Sequence, residues 1–226
     1  PGVRAARAPP LLPRALTWRL RGFLSRLKVA VNAALCSFRM RRSNVAGGAY
    51  LLVYGHPRSA PLSDAYFGDL LKGIFGLRRI VHTDDRSVVH RLSGDGVTES
   101  LHAYGSFLYA LLVLPFKQWR ARTGGLAPTD VWLIRRAATK EASGGAAAMT
   151  AWQIHCQTRF LLYCRPTIVA WPWENHPWER VFTNSARAAG IKTLGYQHAD
   201  AGPHQFNMSP HAAPGGLDQL PDLIVL

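Results

Sequence analysis

Apolar residues in the first forty positions recur at helical spacing. Leu16, Leu20, Phe23, Leu27, Val31, Ala34 and Phe38 follow at steps of four and three, which places them on one side of a helix. Arg19, Arg21, Arg26 and Lys28 occupy much of the rest, so the pattern predicts a basic amphipathic helix. After Gly47-Gly48 the period changes. Residues 50–54 (YLLVY) form a continuous apolar run ending at Gly55-His56-Pro57, the pattern of a buried strand feeding a loop. Asp64 is placed to cap a helix running to about residue 75, and Arg79-Ile80-Val81 reads as a second short strand. Residues 102–120 are helical by pattern, 131–134 fit a strand or the start of a helix, 139–145 form a polar, glycine-rich connection, and 146–164 read as a long helix. A strand over 167–171, a helix over 176–189 and a strand over 192–196 follow, with Gly190 where a left-handed residue closes the helix. Residues 221–226 have the character of one more strand.

Strand, helix and strand within about 30 residues is the parallel crossover unit. Its repetition predicts an α/β fold, a Rossmann-like open parallel sheet with helices on both faces, preceded by the basic amphipathic helix. Three segments follow: a basic arm over 1–48, a Rossmann-like domain over 49–220, and over 221–226 the start of a second domain, since the chain stops inside a strand. No internal repeat and no long low-complexity tract supports a solenoid or linker.

Charge sharpens the picture of the N-terminal quarter. The chain carries +14, and residues 1–58 hold eleven Arg/Lys and no Asp or Glu, which leaves only +3 downstream. A basic amphipathic helix can pack on its own domain with a solvated basic face, lie on an anionic membrane surface, or meet nucleic acid. Cys36, Cys156 and Cys164 form neither an even set nor a metal spacing, which favours a reducing compartment over a disulfide framework or a zinc site. The longest apolar runs fall short of the roughly 20 residues that span a bilayer, and no secretory signal is readable.

In open parallel sheets ligands gather at the carboxyl ends of the strands, so the residues after each strand carry the candidate chemistry. Three such loops are rich in polar groups: His56-Pro57-Arg58, Trp173-Glu174-Asn175-His176 and Gln197-His198-Ala199-Asp200. Arg58 can hold an anionic substrate group or be a solvated loop residue. Glu174 can cap the helix that follows, or, with Trp171 and Trp173 beside it, act as a general base or grip sugar hydroxyls. Indole faces cover the apolar side of a pyranose while carboxylates accept from its hydroxyls, which makes Trp173 part of that reading. Glu179 is open to a helix-pairing role with Arg180 or Arg187 or to a site role. His198 is open to acid, base or phosphate-facing work or to a structural hydrogen bond. His82, His90, His155, His204 and His211 show no ligand spacing, so no metal is expected. The chain lacks G-x-G-x-x-G after Tyr54, a Walker lysine loop and a G-x-S-x-G elbow, the signatures of dinucleotide oxidoreduction, phosphate-loop hydrolysis and α/β-hydrolase chemistry.

Pro172-Trp173-Glu174-Asn175-His176-Pro177-Trp178-Glu179, then Gly195-Tyr196-Gln197-His198 and later Pro221-Asp222, form a composite pattern of about 55 residues. It resembles bacterial surface-carbohydrate biosynthesis proteins, the O-antigen or capsule glycosyltransferases of the two-domain GT-B type. Asp64-Ala65-Tyr66-Phe67-Gly68 is similar, less distinctly, to the region after the family's first strand, and a more distant similarity reaches Kdo transferases of the same architecture. The resemblance implies the acceptor-side domain of an enzyme that moves a sugar from a nucleotide-activated donor to a lipid-linked surface-polysaccharide acceptor, with a second domain supplying most nucleotide contacts. It implies Glu174 and His198 as catalytic candidates, with His56, Arg58, Asp64, Trp173, Asn175, Glu179 and Gln197 as substrate-binding ones. No cofactor is expected, the nucleotide sugar being a substrate, and the place of action is the cytoplasm, at the inner membrane face. The competing expectations are a sugar-nucleotide epimerase-like enzyme and a non-enzymatic basic module that binds nucleic acid or membrane.

Overall fold

The computed structural model describes residues 11–40, 42, 45–118, 123–125, 127–141, 144–174, 176–197 and 219–225. The chain divides into two compact units, one of Pro1–Asn32 with Leu108–Ala151, the other of Ala33–Phe107 with Trp152–Leu226. Its helices are α1 (Leu11–Arg39), α2 (Leu70–Gly73), α3 (Arg86–Ser93), α4 (Phe107–Leu112), α5 (Pro128–Glu141), α6 (Gly145–Cys164) and α7 (Pro177–Ala188), with single tight turns at Leu101–Tyr104 and Leu114–Phe116.

The larger unit holds a six-stranded sheet, parallel throughout: β1 (Ala49–Tyr54), β2 (Arg78–His82), β3 (Thr98–Ser100), β4 (Ile168–Pro172), β5 (Lys192–Tyr196) and β6 (Leu223–Val225). The spatial order is β3-β2-β1-β4-β5-β6, the Rossmann order, so the direction of winding reverses between β1 and β4. Leu51 and Val53 of β1 and Val81 of β2 pack on one face with Leu71, Leu77 and Leu92. The alternate positions point to the other face, where the Tyr50 ring lies 5.2 Å from Phe160 of α6 and Trp171 lies 5.3 Å from Phe182 of α7. Burial on both faces is why β1 reads as an unbroken apolar run.

Several expectations change. The helix expected from Asp64 to about residue 75 is reduced to α2, because Asp64 is spent elsewhere: its carboxylate accepts from the Tyr66 amide and the Ser59 hydroxyl and lies 3.5 Å from Arg79. The helix expected over 102–120 breaks at Gly105 and Pro115 into α4 and two turns. Residues 131–134 lie within α5. The closing strand, expected to open a second domain, is instead the sixth strand of this sheet. Asp222 anchors it by accepting from the Thr193 amide and hydroxyl, both at 2.9 Å. Strand β3 and helix α3 were not legible, and β3 is built from three polar residues that are all buried.

One of their partners is Arg79, fully buried on β2. Its guanidinium donates to Thr98 Oγ1 (2.9 Å), the Ser63 carbonyl (2.9 Å), the Ala60 carbonyl (3.1 Å) and Asp95 Oδ2 (3.0 Å). The planar fork with its five donors thus ties the loop after β1 to the chain entering β3.

In the smaller unit, α1 packs through Phe23 of the predicted stripe and through Arg26 and Ala30 beside it. Arg26, expected among the solvated basic residues, is buried and donates from Nε to the Pro115 carbonyl at 2.7 Å; Phe23 meets Phe116 with ring centroids 5.9 Å apart. Gly145 at the start of α6 lies close to α1, and a Cβ there would lie 2.5 Å from the Ser25 hydroxyl, which would have to turn away. Small and inward residues seat the helix, and Leu20, Leu27 and Val31 of the predicted stripe face solvent.

Candidate functional site

All of the following lies within the larger unit. Strands β1, β2 and β4 deliver their carboxyl ends to one edge, and the side chains there form a row of rings. His102, in the turn after β3, stacks on His82 at the end of β2, with centroids 5.8 Å apart and planes within 16°. His82 lies 6.0 Å from Tyr54 at the end of β1, and Tyr54 meets Trp178, near the start of α7, edge-on at 6.3 Å. This order repeats the strand order, because each ring sits where its own strand ends or its following helix begins.

On the β4 side, the loop Trp173-Glu174 turns at His176 into α7, whose first residue is Pro177. A proline needs no amide partner at that position and its fixed φ suits the first helical turn. Glu179, two residues on from Pro177, is buried and reaches back, so that the Glu174 amide donates to both of its carboxylate oxygens at 3.3 Å. Burial pushes the Glu179 pKa up. Amide donors oppose this, as does the Trp171 indole N–H, which favours the ionised form without completing a hydrogen bond. The turn that Glu179 clasps presents Glu174, half-exposed, with Oε2 at 2.8 Å from His176 Nε2.

On the β1 side, the His56 ring packs edge-on against Tyr66 at 5.8 Å, and the Arg58 amide donates to His56 Nδ1 at 3.1 Å. The phenols of both Tyr54 and Tyr66 are held above the ordinary range, first by burial and then by carboxylates: Glu179 and Glu174 for Tyr54, Glu174 and Asp64 for Tyr66. The contact of Tyr54 with Trp178 brings β1 and α7 residues to one locus, at the point where the sheet order reverses.

Of the sequence candidates, Glu174, His56 and Glu179 therefore belong to this locus, with Glu179 beneath it. Arg58 is exposed on the same loop and Gln197 follows β5, its amide donating to the Val225 carbonyl at 2.9 Å. Asp64 is buried and belongs to the Arg79 network. Trp173 is buried, 6% exposed, and lies against Gly195, so the half-buried Trp178 is the more accessible indole. Asn175 and His198 lie outside the described residues.

The sequence reading missed His176 as a partner, Tyr54, Tyr66, Trp178 and the His82–His102 pair. Tyr54, His82 and His102 all end or follow strands, a signal available once β3 is known. Trp152 Nε1–H donates to His102 Nδ1 at 2.7 Å, and the Ser106 amide donates to His155 Nε2 at 3.2 Å. Burial lowers the pKa of His82 to about 3 and of His102 to about 4, keeping both rings neutral. Among the described residues no group of three or more His, Cys, Asp or Glu is arranged to hold a metal ion. Comparison with protein families, with curated proteins and with solved structures returns no match to this chain.

Proposed function

We propose that the chain is the acceptor-side domain of a glycosyltransferase of the GT-B type, moving a sugar from a nucleotide-activated donor to a lipid-linked surface-polysaccharide acceptor. The observation that carries this reading is the half-exposed Glu174–His176 pair at the reversal point of the sheet, beside the Tyr54 and Trp178 rings. A carboxylate for a hydroxyl proton and aromatic faces for a sugar ring are two elements that acceptor recognition uses.

In either stereochemical course the acceptor hydroxyl gives up its proton. Glu174 takes it as the new bond to the anomeric carbon forms, while the bond from that carbon to the donor phosphate breaks and its electron pair leaves with the phosphate. His176 orients the carboxylate by holding Oε2. Positive groups and helix N-termini, rather than a metal, would meet the leaving phosphate, with Arg58 and His198 the candidates on this chain. On this reading the enzyme works in the cytoplasm at the inner membrane face, and a second Rossmann-like domain makes most of the nucleotide contacts.

The test is transfer by the full-length protein. Glu174→Gln lowers it on the order of 100-fold or more, as loss of a general base does. Wild-type turnover in that variant would remove Glu174 from the chemistry. Conversion of a sugar nucleotide with no acceptor present would favour an epimerase instead.

A further inference from the structure

The smaller unit, Pro1–Asn32 with Leu108–Ala151, combines two properties that a surface in water does not need together. The first is an exposed apolar stripe. Leu20, Leu24, Leu27 and Val31, at helical steps of four and three, lie on the side of α1 away from Arg26 and Ala30, with exposures of 57%, 53%, 37% and 46%. The other stretch of the unit adds Leu112, 67% exposed, and Phe116, 70% exposed, the latter against Phe23. The second property is charge. The unit has thirteen Arg/Lys and two acids, Asp130 and Glu141, and so carries +11 of the chain's +14. Arg21 and Lys28 are exposed and fall next to the stripe along the helix surface.

We infer that this unit is a docking surface for an anionic phospholipid bilayer. Apolar side chains of this number beside solvated basic ones mark an interaction surface, and the charge selects the occupant. A second copy of the chain would bring +11 against +11. Nucleic acid would meet the arginines and leave the leucines in water. A bilayer takes both: the stripe enters the acyl boundary while the basic side chains stay among anionic headgroups. Trp18 and Trp132, both exposed, have the amphipathic rings that settle at that boundary. The mode is lying on the membrane, since among the described residues no helix is long and apolar enough to cross it.

Residues 108–151 extend this beyond the N-terminal helix, because Lys117, Arg135 and Arg136 share their unit with α1 and are exposed. The inference stands apart from sugar transfer, and its test reads no activity.

The experiment is co-sedimentation of the full-length protein with phosphatidylcholine vesicles with and without phosphatidylglycerol. The expected result is binding to the mixed vesicles at least tenfold tighter than to phosphatidylcholine alone. Leu20→Ser with Leu24→Ser and Leu27→Ser is expected to abolish it with wild-type melting, the side chains being exposed. Arg21→Gln with Lys28→Gln, which removes no apolar side chain, is expected to weaken binding to the mixed vesicles about 25-fold, at about fivefold for each basic residue. Indifference to phosphatidylglycerol, undiminished binding by the leucine variant, or sedimentation as a dimer that this variant dissociates would each overturn the inference.

Discussion

Glu179 lies buried under the turn that presents Glu174, with both carboxylate oxygens 3.3 Å from the Glu174 amide nitrogen. Two acids five residues apart thus have separate tasks: one shapes the loop, the other faces outward toward His176. The resemblance at the sequence level treats both as part of one motif. The geometry orders them, with the inner carboxylate positioning the outer one.

Removing the inner carboxylate should disturb the outer one. Glu179→Ala leaves the Glu174 amide without its acceptor and is expected to cost about 1–3 kcal/mol in denaturant unfolding. Glu179→Gln keeps an acceptor oxygen and removes the titration. Because burial raises the folded-state pKa above the ordinary 4.5, the folded chain holds this proton more tightly than the unfolded chain. The contribution is full below pH 4.5 and is lost as pH rises through the raised value. Relative to wild type, the glutamine variant therefore gains stability as pH rises through that window; parallel pH profiles for the two proteins would sink the assignment.

Arg79 offers a larger stability effect. Its side chain is fully buried beside two buried carboxylates, so Arg79→Ala removes the only cation paired with Asp64 and Asp95 among the described ion pairs and is expected to cost about 3–5 kcal/mol. Lysine should not rescue it, since an ammonium cannot span Thr98, Ser63, Ala60 and Asp95 as the fork does. Arg79→Ala with Asp95→Ala should cost less than the two single changes together, and additive costs in a double-mutant cycle would show that the pair is not coupled.

The stacked His82 and His102 should make the protein acid-labile before its carboxylates do. Their pKa values lie near 3 and 4 when folded against 6.5 unfolded, burial being the main cause, with the neighbouring ring adding to it for His82 and Asp84 opposing it for His102. As pH falls from 6.5 toward about 4 the unfolded chain takes up protons that the folded chain refuses, and stability falls. The slope is up to about 1.4 kcal/mol per pH unit for each histidine. Unfolding free energies at about pH 7 and about pH 5 check this. His82→Phe should reduce the slope by about one proton, and an unchanged slope would place the titration elsewhere.

What the sequence made legible follows from where side chains are apolar. Strands β1, β4 and β5 and helices α6 and α7 were found because Leu51–Val53, Val169 and Phe182 are buried in water-excluded layers and their apolar spacing reports it. Strand β3 was invisible because Thr98, Glu99 and Ser100 are buried by polar partners: Arg79 for Thr98, Arg78 and Tyr104 for Glu99, and the His102 amide for Ser100. Periodicity carries no record of such pairing. The apolar spacing of α1 could not say which of its residues are buried, for a related reason. The buried ones are Arg26, Ala30, Ala33, Ala34 and Cys36, mostly small, and bulkier members of the stripe such as Leu20 and Val31 are exposed. At the site, the motif identified Glu174 and Glu179 but could not rank their exposure, which depends on a turn closed by a backbone amide.

A link between strand packing and the site is at Gly195 on β5. A Cβ there would lie 2.9 Å from Trp173 Cβ and 3.0 Å from both Trp173 Cγ and Pro221 Cγ, so Trp173 or Pro221 must move to admit one. Trp173 cannot move freely, because its amide donates to the Tyr196 carbonyl at 2.8 Å and its ring is buried. The displacement passes to the next residue, Glu174. Gly195→Ala is therefore expected to cost about 1–3 kcal/mol through overpacking. On the proposed function it should also lower transfer more than that loss of stability explains when assayed well below its melting point. Gly73→Ala is the control: its Cβ meets nothing within 4 Å, and Gly73 ends α2 away from these contacts. If the two variants melt and turn over alike, Trp173 does not transmit the strain, and the Glu174 loop is held by Glu179 alone.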